Sequence, residues 1–529
     1  MKLHGRNLLG FETSTAGGKS FRAYDPRKGQ SIEPVFHEAT AAEVERAMEL
    51  AGHAASLFAA LDADAVMRFL LAIREEILAL GEQLIERADE ETALGVDRLR
   101  SERDRTVNQI KLFADIVSEG SWVDARIDTA LPDRKPLPRP DIRRMLQPIG
   151  PVAVFGASNF PLAFSVGGGD TISAFAARNP VVVKSHPAHP GTSELVGTAI
   201  VTAAKAAGMP EGTFSMLHSL GTDASIALVT HPKTNAVAFT GSQRAGRALF
   251  DAGARRPNPI PVYAEMGSVN PVFLLPEVLH EKGDAIAAGL YRSVLLGVGQ
   301  FCTCPGLVFG LEDNAFRGFV QQLQRMFEQG IPGTMLNTSI QQGFAEKFKT
   351  ASAVAGVGTT VSTQSNDPGR TEALPGLLMT DAGTWLKNEM LHEEIFGPAT
   401  VVVGCRSSDD LLRCGQALEG SLTATIHGTA AELEAHRELV SVLATKAGRL
   451  IFNGYPTGVE VGYAMHHGGP YPATTDVKFT SVGAAAIYRF ARPVCYQGFP
   501  ERLLPQELQN ANPRNIWRIV DGHLTRDAL

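Results

Sequence analysis

From Ile149 onward, short β-branched runs alternate with stretches of helical length, and few architectures accept that pattern. PVAVFG (151–156) and PVVVKS (180–185) are separated by enough chain for one helix. GTFSML (212–217) and NAVAFTGS (235–242) repeat the pattern after an expected helix over 192–207. Strand, helix, strand at this spacing predicts a parallel, doubly wound sheet, because a parallel pair needs a crossover that returns the chain to the same edge. A second α/β unit is expected from Tyr263, with VNPVFLLP, GLVFGLE and PATVVVGC as its buried strands. Ahead of both, Ala41–Leu61 and Ala65–Ala88 carry apolar residues at three- and four-residue spacing and are expected to be helices. Asp124–Arg144, broken by Pro132, Pro136, Pro138 and Pro140, reads as an extended arm.

A chain of 529 residues calls for two or three cores. A net charge of −7 over that length makes no case for nucleic acid. Five cysteines, at 302, 304, 405, 414 and 495, are odd in number and contain no CxxC pair, which argues against a disulfide framework or a zinc knuckle. The first fifteen residues lack the apolar core of a signal peptide, and no apolar run reaches the length of a membrane span. A cytoplasmic protein is the expectation.

Chemistry concentrates in a few segments. In LLGVGQFCTCPG (295–306), Cys302 follows a glycine-rich turn that lets an electrophilic carbonyl approach a sulfur closely. Cys304 precedes Pro305, which favours extended backbone and a different side-chain direction. Asn159 lies just beyond the strand 151–156, at the carboxyl edge where ligand sites form in parallel sheets, so its amide can serve an oxyanion or simply a turn. Lys184 closes the run VVVK, with Ser185 next to it. FTGSQRAGR (239–247) joins a strand to a helix through Gly241, Ser242 and Gly246, which suits an anion site. Glu265 and Met266 sit in the uncharged YAEMGSVNP, where a partly desolvated carboxylate can act as a base. Glu394 and Phe396 occur in HEEIFGP, read as a loop entering a strand. The histidines (His186/His189, His392, His466/His467) show no metal-ligand spacing with carboxylates, so no metal is expected.

In this order and spacing the segments ASNFP, VVVKS, FTGSQRAGR, AEMG, GVGQFC and EEIFGP resemble the aldehyde dehydrogenase superfamily across nearly the whole chain. The resemblance implies an α/β fold. Its cofactor domain, a doubly wound parallel sheet, would span 1–123 and 145–262, and its α/β catalytic domain 263–478. A small oligomerisation element would combine 124–144 with 479–529, in a homodimer or homotetramer. It also implies Cys302 as nucleophile, Glu265 as base and Asn159 as oxyanion donor, with the cofactor held by Lys184, Ser185, Gly241, Ser242, Gly246, Met266, Glu394 and Phe396. The reaction implied is NAD(P)-dependent oxidation of an aldehyde to an acid through a thioester. The nearest rivals are release of the thioester to coenzyme A and a non-catalytic use of the fold.

Departures from the family pattern sharpen this expectation. NAD-preferring members usually have a glutamate three residues beyond the lysine; Pro187 stands there, so NADP is expected, with NAD possible. FNGYPTGVEV (452–461) and HHGGPYPATTD (466–476) resemble the family branch that oxidises 2,5-dioxovalerate (α-ketoglutaric semialdehyde), the alternative being a broad or fatty-aldehyde specificity. Such a substrate needs a cation or several N–H donors at its far end. Phe160, Arg292, Phe452 and the backbone around Gly468 are the candidates for the substrate side.

Overall fold

The computed structural model describes residues 2–367 and 369–529. Its first sheet has seven strands in the order Val262–Glu265, Ala236–Thr240, Val152–Phe155, Val181–Lys184, Phe214–Leu217, Asn7–Leu9 and Glu12–Ser14. The first five run parallel, and Asn7–Leu9 is antiparallel to Phe214–Leu217. From Val152–Phe155 the chain winds outward through Val181–Lys184. It then returns to the opposite side with Ala236–Thr240, so the strand order reverses beside Val152–Phe155. Helices cover both faces, and the strands are therefore apolar on both faces: Val152, Val154, Val181 and Val183 face one core, and Ala153, Val182 and Val237 the other.

The second sheet, Gly358–Val361, Gly376–Asp381, Ala399–Cys405, Leu307–Leu311, Val272–Leu274, Ser421–His427 and Ala447–Phe452, is parallel except at its first strand. A third sheet joins Arg126–Asp128 and Ile142–Pro148 to Ala491–Gln497, Arg518–Val520 and His523–Thr525, so the proline-rich arm and the C-terminal tail share one element.

Two details depart from the sequence expectation. The helix expected over 65–88 is two helices, Ala63–Ala79 and Gly81–Thr92, because Gly81 takes a left-handed φ of 56° that restarts the chain in a new direction. Residues 466–481 do not stay with the second sheet. Met266 N–H donates to Ala473 O, Thr475 N–H to Ala264 O, and Glu265 bridges Thr474, so this segment lies along the edge strand Val262–Glu265 of the first sheet.

Candidate active site

Reversal of strand order leaves a crevice beyond the carboxyl ends of Val152–Phe155 and Ala236–Thr240, the position where open α/β sheets bind ligands. A cleft of about 670 Å³ lies there, lined by Gly156–Asn159 from one strand end and Phe239–Ser242 from the other. Its remaining walls come from the Glu265–Gly267 segment, Cys302, the turn around Glu394 and Phe396, and the helix Thr338–Ser352 with Ile340, Phe344 and Lys347.

The phosphate-type turn behaves as its sequence suggests. Ser242 caps the helix Gln243–Ala254, accepting from Ala245 N–H, and the helix N-terminus therefore opens on the cleft. A Cβ at Gly246 would stand 2.7 Å from Met266 Cγ, so only glycine lets this helix lie on the strand end. Lys184 ends its strand half-buried; burial lowers its pKa to about 8, with Glu38 acting against that shift. Ser185 turns away from the cleft, its Oγ 2.9 Å from His218 Nδ1 in the interior. Glu394 lines the cleft, its carboxyl pushed up to about 7 by burial against the opposing charge of Lys347. At that value it both donates and accepts hydrogen bonds near neutrality. Cleft-lining Arg22 and Tyr24, Lys347 and the helix Thr338–Ser352 had no sequence signal; they come from distant hairpin and helix positions.

The nucleophile loop is built from left-handed backbone. Gly297, Val298 and Gly299 have φ of 58°, 59° and 69° in succession. A Cβ on Gly299 would sit 2.0 Å from Gly397 O, so the loop and the Phe-Gly-Pro turn interlock only with glycine there. For β-branched Val298 this conformation is a strained one, of order 1–3 kcal/mol, held by the surrounding packing. Asn270 Nδ2 donates to Cys302 O at 2.8 Å and to Cys304 O at 3.0 Å, fixing the loop from below. Asn159 Nδ2 donates to Gln300 O at 2.9 Å, which sets its amide beside the cysteine segment and inside the cleft. Cys304 points instead into the core, its Sγ 3.7 Å from Val294 O, and burial drives its pKa up.

Around Cys302 the fold assembles a group that the linear sequence hides. His467 Nε2 is 3.6 Å from Cys302 Sγ and 3.0 Å from Glu265 Oε1. Ser481 Oγ donates to Glu265 Oε2. The histidines show no metal spacing in sequence, yet folding brings His467 against both a carboxylate and a thiol across 202 and 165 residues. Sulfur, imidazole nitrogen and carboxylate oxygen all lie within 4.8 Å, and they answer one another as hydrogen-bond partners. Burial alone would raise the Glu265 carboxyl, but the charge and hydrogen bond of His467, with the hydrogen bonds of Ser481 and Cys302, outweigh it and hold it below the usual carboxylate range. Burial, then the Glu265 charge, push Cys302 well above the ordinary thiol value. The resting state is thus a carboxylate beside a protonated thiol, with His467 presenting Nε2–H to the carboxylate. Such a trio holds an ionised base within reach of anything bonded to the sulfur.

Of the substrate candidates, Phe160 packs edge-on against Phe301 at 5.2 Å, under the nucleophile loop. Arg292 is exposed on the helix Pro276–Leu295, and Phe452 is 47% exposed beside a separate depression formed with Lys282 and Tyr455; neither lines the cleft. The loop Pro456–Val459 that follows Phe452 accepts hydrogen bonds from Arg105 at Val459 O and from Arg449 at Pro456 O.

Comparison with known proteins agrees with this geometry. Residues 12–471 match the aldehyde dehydrogenase family. The chain is 49% identical to α-ketoglutaric semialdehyde dehydrogenase 2 of Azospirillum brasilense, covering 99% of each. It is 42% identical to the α-ketoglutaric semialdehyde dehydrogenase of Acinetobacter baylyi, again covering 99% of each. Among solved structures it superimposes on an aldehyde dehydrogenase of Pseudomonas syringae in complex with NAD+ and octanal, with a TM-score of 0.78, 19% identity and 94% and 97% of the two chains covered. A Thermus 1-pyrroline-5-carboxylate dehydrogenase with bound NAD gives 0.78 at 19% identity, over 93% and 92%. The fold, the cleft and full-length similarity lead to one conclusion: this chain belongs to the aldehyde dehydrogenase family, oxidoreductases that act on aldehydes with NAD(P).

Proposed function

We propose that this enzyme oxidises 2,5-dioxovalerate to 2-oxoglutarate, with Cys302 as the nucleophile. The observation that carries the reading is the buried Cys302–His467–Glu265 group at the cleft, in a chain similar end to end to two α-ketoglutaric semialdehyde dehydrogenases. Cys302 gives its proton to solvent and adds, as the thiolate, to the aldehyde carbon. The new alkoxide is met by the Asn159 amide and backbone N–H donors, a kind of contact typically worth 10²–10³ in rate, or about 3–4 kcal/mol. A bound nicotinamide cofactor supplies the hydride acceptor. The acyl group is left as a thioester on Cys302, and Glu265 takes a proton from the water that hydrolyses it. His467 and Ser481 keep that carboxylate ionised for the task.

The cofactor would lie along Gly156–Asn159 and the N-terminus of the helix Gln243–Ala254, with Glu394 and Phe396 at its nicotinamide half. Support for NADP comes from Pro187 in the cleft wall and from Lys184 and Arg22 as cations on that side, although Glu33 pairs with Arg22 and Glu38 faces Lys184. The domains would be 1–123 with 145–262 for the cofactor and 263–478 for catalysis, with 466–478 folded back along the edge strand of the cofactor sheet. The third sheet would serve assembly into a homodimer or homotetramer, since its strand Ala491–Gln497 pairs on one side only and Tyr488, Phe499 and Leu503 lie exposed nearby. Light scattering of the purified protein reads the subunit number directly.

The test of function is kcat/KM for 2,5-dioxovalerate, glutaraldehyde, propanal and decanal, with NAD and with NADP. The dioxo acid is expected to lead with NADP at least as good as NAD. A lead for decanal refutes the substrate, and a strong NAD preference refutes the cofactor reading. Acyl transfer that requires coenzyme A refutes hydrolysis by Glu265.

A further inference from the structure

The positive charge expected at the far end of an acid-bearing substrate is absent from the sequence candidates, because Arg292 is exposed. The structure offers another. Arg105, on the helix Val96–Glu119, lies with its guanidinium carbon 5.2 Å from the centre of the Phe164 ring. Phe164 in turn packs 6.3 Å from His467, whose Nε2 touches Cys302 Sγ. The side chain therefore reaches the nucleophile from behind the Phe164 ring, and of these four residues Cys302 alone is among those lining the cofactor cleft.

Its bonding is incomplete. Nε donates to Val459 O at 3.3 Å, but Nη1 and Nη2 are buried with no hydrogen-bond partner among the described residues. The acidic groups its charge meets are Glu102, then Cys302, Glu265 and the exposed Glu460. Glu102 accepts from Leu162 N–H and Ala163 N–H at Oε1 and makes no hydrogen bond to Arg105, and Glu265 is taken up by His467 and Ser481. From the strand Ala447–Phe452, Arg449 donates to Pro456 O at 2.9 Å and to Gly458 O at 3.4 Å, its Nε is buried without a partner among the described residues, and its charge also faces Cys302. Two guanidinium groups thus hold Pro456–Val459, and among the described residues their hydrogen-bond acceptors are all backbone carbonyls of that loop. Buried N–H groups left without an acceptor are costly, and a guanidinium with both terminal nitrogens free presents the planar fork that matches a carboxylate.

We propose that Arg105, with Arg449 adding a second positive charge, binds the terminal carboxylate of the substrate and makes the enzyme selective for short 2-oxo-acid aldehydes. The inference rests on the substrate reading above and goes further by naming the residue that enforces it. In 2,5-dioxovalerate the carboxylate carbon stands four bonds from the aldehyde carbon, so one anchored end places the other at the sulfur. An aldehyde of the same length without a carboxylate leaves the fork unpaired.

Arg105→Met tests this through a ratio: kcat/KM for 2,5-dioxovalerate over kcat/KM for pentanal, measured for wild type and variant. Loss of a paired, buried charge should lower that ratio about 100-fold. If Arg105 only positions Phe164 and His467, both substrates suffer alike and the ratio stays put, which overturns the proposal. A wild type that does not prefer the dioxo acid over pentanal overturns the substrate reading itself, so the two failures are told apart. Should Arg105→Met not fold, wild-type inhibition gives the same answer. Glutarate should compete with pentanal while glutaramide does not; equal inhibition, or none, overturns the proposal.

Discussion

Replacing Glu265 with glutamine should make Cys302 more reactive toward an alkylating agent while making the enzyme slower. Carboxylate and sulfur lie within 4.8 Å, both buried, and after burial the Glu265 charge is the largest influence raising the thiol. A unit charge at that separation, with an effective dielectric near 20, is worth about 3.5 kcal/mol. His467 and Ser481 already spread part of that charge, so we take roughly 1.4–2.7 kcal/mol as the effect on the thiol, which is about one to two pKa units. At fixed pH below the thiol pKa, the thiolate population then rises about 10- to 100-fold. Nucleophilicity falls with basicity at a Brønsted slope near 0.5, leaving a net gain of about 3- to 10-fold. The assay is iodoacetamide modification at pH 7.5, followed by peptide mass mapping. Turnover should meanwhile drop about 10²- to 10⁴-fold, since the general base is lost. Rapid mixing should still show a burst of reduced cofactor near one per active site, because the slowed step is hydrolysis. Unchanged or slower alkylation, or a burst that slows as much as turnover, would refute the assignment and place Glu265 in activating the thiol.

Other consequences are as specific. His467→Phe removes the donor that holds Glu265 below its usual range, so the Glu265 pKa rises and the acid limb of kcat moves to higher pH; an unmoved limb contradicts the role given to His467. Cys302→Ala should abolish dehydrogenase activity while Cys304→Ala keeps most of it, because the Cys304 sulfur faces Val294 O in the core; the reverse result would sink the nucleophile assignment. Gly299→Ala places a Cβ against Gly397 O and forces a left-handed alanine, itself costing about 1–2 kcal/mol, so melting temperature and activity should both fall; a wild-type melt and rate would show that the loop does not interlock as described.

Where residues act through their own strand or turn, the sequence was readable. Val152–Phe155, Val181–Lys184 and Ala236–Thr240 are apolar up to the terminal Lys184 and Thr240 because helices cover both faces, and their apolar runs say so directly. The turn at Gly241–Ser242 and the glycines before Cys302 are local features, visible as spacing. What required the fold were residues whose role depends on tertiary neighbours. His467 looks like any loop histidine until residues 466–481 run along the Glu265 strand. Arg105 and Arg449 look like solvated surface cations of a helix and a strand, and nothing in helical or strand spacing says that they turn inward. Ser185 carries no mark that His218 will claim its hydroxyl. Arg292 misled for the converse reason, since closeness in sequence to the nucleophile does not orient a helix face.

The covalent step can be caught on the enzyme. Glu265→Gln protein mixed with 2,5-dioxovalerate and NADP+, quenched in acid within one turnover and digested, should yield the peptide spanning 295–306 with a 2-oxoglutaryl group in place of the Cys302 thiol hydrogen. Fragment ions that put the added mass on Cys304, or a peptide that stays unmodified while reduced cofactor accumulates, would contradict a thioester at Cys302.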